Sequence, residues 1–179
     1  RVTTVPQDTP EDLCAILGCA LTTAMGIIDN EADLKFGESV AVIGCGGVGL
    51  NLIQAAALKS ACPIVAIDCS ESKKDLVFTA GASVFAAELK ELGDKYDVII
   101  DTTGIPGVIS DAITHLSGKG RMILVGQPAP GRGVEVMNAV NLFSGMVKPS
   151  RQRREARLIL QKISLAMSVC IRRESLMSN

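Results

Sequence analysis

Tryptophan is absent, and aromatic side chains make up only 3% of the 179 residues, so the chain offers no series of rings on which nucleic-acid bases could stack. Histidine occurs once, as His115, too little for a histidine-built metal site, which usually wants three protein ligands. Six cysteines (Cys14, Cys19, Cys45, Cys62, Cys69 and Cys170) show no C-x-x-C pair and no regular spacing. That argues against a disulfide framework and fits a reduced, cytoplasmic setting, with most thiols serving as small buried hydrophobes. No apolar run reaches the roughly 18–20 residues of a membrane span. The opening Arg1-Val-Thr-Thr-Val-Pro-Gln-Asp has no apolar core for a signal peptide, and Arg1 in place of Met reads as a fragment or a processed start.

What is there points to a globular α/β unit. Hydrophobic residues make up 47% and charged residues 21%, a balance that suits one domain with a substantial core. The apolar run Val40 to Ile43 ends in Gly44-x-Gly46-x-x-Gly49 and passes into Leu50 to Leu58, which has helical spacing. A strand, a glycine turn and a helix in that order are the context of a dinucleotide fingerprint. Gly44 permits the turn, Gly46 lets backbone approach a pyrophosphate, and Gly49 lets the helix pack on the strand. The backbone of Gly47 and Val48 lines the same helix start, where free N–H groups and the positive dipole end favour phosphate. A second apolar run, Pro63 to Ile67, ends in Asp68. A carboxylate there would accept hydrogen bonds from a ribose and repel a 2′-phosphate, favouring NAD over NADP.

Further along, helix and strand patterns alternate. A helix is predicted over Glu71–Ala80, with Ser70 or Asp68 near its cap, and a short strand over Ala82–Phe85. Tyr96–Asp101 reads as a strand followed by the loop Thr102-Thr103-Gly104. Pro106 opens a helix with Val108, Ile109, Ala112, Ile113 and Leu116 on one face. Gly118-Lys119-Gly120 reads as a turn and Arg121–Val125 as a fifth strand running into Gly126. Five short apolar strands with helices between them require a mostly parallel, doubly wound sheet, a Rossmann fold. Ligands then lie beyond the carboxyl ends of the strands, which gathers Gly44–Gly49, Asp68, Thr102–Gly104, Val125 and Gly126 around one crevice. Thr102 and Thr103 could touch the cofactor or simply satisfy local backbone. His115 falls opposite the crevice, at a helix end. A short-chain dehydrogenase needs Tyr-x-x-x-Lys, but Tyr96 is followed four residues on by Ile100. A P-loop needs Gly-Lys-Ser/Thr, but Gly49 is followed by Leu50-Asn51.

Gly18–Gly26, the Gly44–Gly49 fingerprint, Ala66-Ile67-Asp68 with Lys73, Ala80–Ala82, Asp97–Gly104 and Gly120–Gly126 follow one another in a way that resembles the coenzyme-binding domain of zinc-dependent medium-chain dehydrogenases, the alcohol dehydrogenase superfamily. The likeness covers about residues 11–146. It implies that Cys19 corresponds to a ligand of the catalytic zinc, although on its apolar helix face (Leu13, Ile16, Leu17, Leu21) the residue alone would read as a core thiol. It implies that Thr23 packs against the nicotinamide, that Lys73 partners Asp68 near the adenosine ribose, and that the backbone at Val125 meets the carboxamide. Cys45 in the glycine loop is read as merely small enough to fit. By the same resemblance the remaining zinc ligands, and most of the pocket for a small alcohol or carbonyl substrate, belong to an N-terminal catalytic domain that is missing here, and the contact strand of a possible homo-oligomer falls in the region after residue 146.

Residues 1–146 thus form the expected NAD(P)-binding domain, and 147–179 are of another character. From Met146 onward there are eight basic residues and two acids, whereas the first 145 carry ten and seventeen. A basic tail for nucleic acid or membrane lacks aromatics and any recognised motif, so neither partner is expected. The preferred reading is translation out of frame. The genetic code permits, in the shifted frame from Lys162, a string that resembles the family's continuation. Pro149 and the arginines around it make a poor sixth strand, which would leave the sheet without one. Three function classes follow from these residues: a zinc-dependent NAD-linked alcohol or polyol dehydrogenase, a zinc-free reductase of the quinone oxidoreductase kind, and a non-catalytic nucleotide-binding module.

Overall fold

Val40–Ile43 (β1) and Ile64–Ile67 (β2) contain only branched or small apolar side chains, and every one of them is buried. Strands apolar on both faces need helices on both faces, and the computed structural model, which describes residues 4–91, 93 and 95–135, has that arrangement. Val84–Ala86 (β3), Tyr96–Asp101 (β4) and Leu116–Leu124 (β5) complete a five-stranded sheet of order β3-β2-β1-β4-β5, with every pairing parallel. The winding runs outward from β1 to β3, then restarts at β4 on the other side of β1. The strand order reverses between β1 and β4, the place where such sheets open a crevice.

Around the sheet lie α1 (Glu11–Glu31), α2 (Gly47–Leu58), α3 (Lys74–Thr79) and α4 (Pro106–Ile113). Side chains alternate across β1. Val40 and Val42 join Ala24, Ile28, Leu52 and Ile53 of α1 and α2, whereas Ala41 and Ile43 join Ala112 of α4. Two cores, one on each face of the sheet, result from that period of two.

Several boundaries differ from the sequence reading. The expected helix over Glu71–Ala80 starts as a 3-10 turn, Glu71–Lys73, before α3. Leu116 begins β5 instead of ending a helix face, and Gly118–Gly120 lies inside the strand. Tyr96 pairs with Leu116 and Val98 with Arg121, so the glycine segment bulges out of the ladder without ending it. Val125 lies just past the strand, its N–H donating to Asp101 O at 2.8 Å. The suggested sixth-strand defect and the basic segment 147–179 lie outside the described residues.

The helix α1 also corrects the expectation about length. It contains two π turns, Leu17–Leu21 and Ile27–Glu31, and by length and composition it is long and apolar enough to cross a membrane, with a hydropathy of 1.6. An uninterrupted-run count stops at each charge, whereas a helix can tolerate one or two. The C-terminal half of α1 is core of this domain, since Ala24, Ile27 and Ile28 are buried. The end of α1 is fixed by Arg121 at the start of the regular part of β5. Its guanidinium donates to both Glu38 oxygens (2.8 and 2.6 Å) and to the carbonyls of Ala32 and Asp33. A bidentate fork and two helix-end carbonyls together occupy four of the five donors of this planar cation.

Candidate dinucleotide-binding site

Beyond the carboxyl end of β1 the chain turns at Gly44, whose φ is +87°, and enters α2 with Gly46 in the N-cap position. A side chain on Gly49 would place its Cβ 2.0 Å from Gly44 O, so only glycine lets the helix seat this close to the strand. The space before Gly46 and Gly47 is of the opposite kind. A Cβ on either would meet nothing within 4 Å, and both residues are exposed. Here the first N–H groups of α2, those of Gly47 and Val48 among them, have no intrahelical acceptor. An anion can approach the backbone without displacing anything.

Asp68 stands at the end of β2, only 8% exposed. One carboxylate oxygen accepts the Cys45 N–H (2.7 Å) and the Lys73 ammonium (2.7 Å), and the other accepts the Ser70 N–H (2.9 Å). Burial pushes its pKa up, but the bonds from Lys73, Ser70 and Cys45 outweigh that and hold it below the ordinary value. The hydrogen bond to Asp68 raises Lys73 in turn. Thus the acid that would hold a ribose also braces the glycine loop through Cys45. The Cys45 thiol is buried and pushed up to about 12, chiefly by burial, which leaves it a packing group, as expected.

The loop after β4 closes the other side. The Thr102 hydroxyl lies within reach of the carbonyls of Ile43 (3.0 Å) and Gly44 (2.8 Å), and Thr103 Oγ1 donates to Asp101 (2.7 Å). Both hydroxyls bond local backbone or its supporting acid. Gly126 packs so tightly over this loop that a Cβ would come 2.3 Å from Gly104 N. Thr23 and Cys19 are both exposed on α1, so Cys19 is not packed in the core of the described residues. His115 sits between α4 and β5, at the opposite end of the sheet from the glycine loop, and its carbonyl accepts the Tyr96 N–H (2.8 Å). Sequence reasoning missed Asp101 and Arg121. An aspartate two and three residues before Thr103 and Gly104 is the local signal of a side chain capping its own loop.

The sequence model of the family described as zinc-binding dehydrogenase matches residues 47–174. The chain belongs to that family. A relative named S-(hydroxymethyl)glutathione dehydrogenase, from Saccharomyces cerevisiae, is 31% identical over 148 residues, which is 74% of this chain and 38% of the relative. A geraniol dehydrogenase from Castellaniella defragrans is 33% identical over 136 residues, covering 70% of this chain and 36% of the relative. The solved structure of an alcohol dehydrogenase zinc-binding domain protein from Burkholderia ambifaria superposes with a TM-score of 0.71 at 31% identity, covering 79% of this chain and 40% of that one. The medium-chain dehydrogenase resemblance and the doubly wound fold are both borne out. The chain spans less than half the length of the curated relatives it matches.

The residues of this family member fit a dinucleotide, because the space at Gly46 and Gly47, where α2 begins, is open, and a buried acid with a lowered pKa, Asp68, ends the next strand. They do not fit a metal centre by themselves. Among the described residues no three of His, Cys, Asp and Glu converge, and Cys19 stands without a second ligand.

Three carboxylates link the fold to pH. Glu38 is lowered from 4.5, first by its bond to Arg121, and Asp68 and Asp97 are lowered from 3.8, the latter first by the Ser39 N–H. A depressed folded pKa contributes stability that is fully present above the unfolded value and is lost as pH falls through the folded one. Urea midpoints should hold steady down to about pH 5 and drop progressively below about 4, where these groups begin to protonate. A midpoint unchanged between pH 5 and 3 would show that the three contacts add nothing to folding.

Proposed function

We propose that this chain is the coenzyme-binding part of an oxidoreductase that moves hydride between NAD and an alcohol or polyol, or the matching carbonyl compound. The single observation that carries the reading is the pairing of an open helix start at Gly46–Gly47 with a buried carboxylate, Asp68, at the end of the next strand. The backbone of Gly44–Gly49 receives the diphosphate, and Asp68, held by Lys73, accepts the ribose hydroxyls of the adenosine half. A 2′-phosphate would meet that carboxylate, so NADP is the weaker ligand. With the adenosine over β2, the nicotinamide half extends across the switch point toward Thr102, Thr103, Val125 and Gly126. The coenzyme supplies the hydride acceptor or donor. The protein supplies position and excludes water.

Thr23 and Cys19 face outward on α1, where further chain of the family's full length would meet them. Cys19 is the thiol this chain would contribute to zinc in the full-length enzyme. The substrate pocket then belongs to that further chain, so the isolated polypeptide should bind coenzyme without turning it over. Calorimetric titration with NADH and NADPH tests the reading. Uptake of NADH at least about tenfold tighter than NADPH is expected, corresponding to about 1.4 kcal/mol. Absence of heat with either nucleotide on folded protein, or a preference for NADPH, would sink it.

A further inference from the structure

Asp101 is the one described side chain with a fully buried charge-bearing group, at 0% exposure, that the function above leaves unused. Burying a carboxylate is costly unless donors surround it. Here every donor comes from one place. One oxygen accepts the Thr103 N–H (3.2 Å) and its hydroxyl (2.7 Å), and the other accepts the Gly104 N–H (2.9 Å). The backbone carbonyl of the same residue accepts the N–H groups of Val125 (2.8 Å) and Gly126 (3.0 Å). Five contacts from one aspartate thus join the loop after β4 to the loop after β5. The root of the first loop is held separately, by the Thr102 N–H on Ile43 O at 2.9 Å.

We infer that Asp101 is a positioning residue that sets the nicotinamide end of the cleft, by locking the 103–104 backbone against 125–126, and leaves the adenosine end to Asp68 and the glycine loop. The inference rests on the coenzyme reading given above. Its physical content is a division of labour between two buried aspartates at the ends of β2 and β4, one on each side of the strand that carries the phosphate turn. Asp101→Asn keeps shape but sets an amide nitrogen against the Gly104 or the Thr103 donors, so one side of the clamp must open.

The test compares NADH with ADP-ribose, which lacks only the nicotinamide, on the full chain. For Asp101→Asn, NADH affinity should fall about tenfold or more, while ADP-ribose stays within about twofold; that factor is about 1.4 kcal/mol. Should Asp101→Asn fail to fold, Thr103→Val and Thr103→Ser decide. The valine variant loses the hydroxyl donor and should show the same selective loss in smaller measure, and the serine variant should restore it. Equal weakening of both ligands, or no weakening of either, overturns the inference and leaves Asp101 a structural brace. Wild-type protein that takes up neither ligand overturns the coenzyme reading itself, a result distinct from the other two.

Discussion

Replacing Gly46 with alanine should leave the fold intact and abolish measurable coenzyme uptake. The added methyl meets no atom of the protein within 4 Å, and the residue's φ of −82° and ψ of −165° is extended backbone open to any side chain. The stability change should stay within about 1 kcal/mol, the scale of exchanging one N-cap residue for another. Yet the same methyl projects into the space a diphosphate must enter to reach the N–H groups of α2. Losing that contact should weaken NADH by about 100-fold or more, near 3 kcal/mol. Gly49→Ala is the opposite case. Its Cβ would lie 2.0 Å from a backbone oxygen that cannot rotate aside. Either α2 lifts from β1 or the turn at Gly44 breaks, at a cost of roughly 3 kcal/mol, the upper end for overpacking. Urea melts and calorimetry on the two variants should therefore separate: Gly46→Ala stable and non-binding, Gly49→Ala unstable. Gly46→Ala binding NADH as well as the unchanged chain would mean that the phosphates do not sit over this helix.

Both glycines occupy one sequence pattern, and their different physical roles were legible because each role follows from its place in the turn. The same holds for β1, β2 and β4. Runs of four to six residues, all buried but Asp97, leave little choice of structure. Legibility fails where tertiary pairing overrides a local signal. Gly118-Lys119-Gly120 carries a turn signal, but β4 offers ladder partners on both sides of it, so the segment bulges within β5. The role of Arg121 was invisible for a related reason. Arg121 acts on Glu38 and the Ala32 carbonyl, more than eighty residues away in sequence. The Asp101 carboxylate, by contrast, draws its donors from Thr103 and Gly104, two and three residues on, a local pattern that could have been read. The threonines drew attention as loop hydroxyls, but the loop they sit on is built by the acid before them.

Asp68→Ala should lower NADH affinity by about 10- to 100-fold and narrow or reverse the preference over NADPH. Hydrogen bonds to a charged group contribute about 1.5–3 kcal/mol, and the ribose would lose its acceptor. Removal of the carboxylate acts a second time, through the loop. The Cys45 N–H and the Lys73 ammonium both donate to one Asp68 oxygen, so the variant frees the glycine turn from the strand that holds it. Lys73, left without its partner and 35% exposed along its side chain, becomes available to a 2′-phosphate. NADPH affinity should thus fall less than NADH affinity, or rise. Asp68→Asn separates the two effects: an amide can still accept the Ser70 N–H and stay near the ribose, but it turns a donor toward either Cys45 and Lys73 or Ser70. If loop bracing dominates, asparagine should bind NADH as poorly as alanine does; if the direct ribose contact dominates, asparagine should keep the larger share. Equal NADH affinity in the unchanged chain, Asp68→Ala and Asp68→Asn would remove the aspartate from the cleft altogether, leaving its bonds to Cys45, Ser70 and Lys73 as scaffolding for an empty turn.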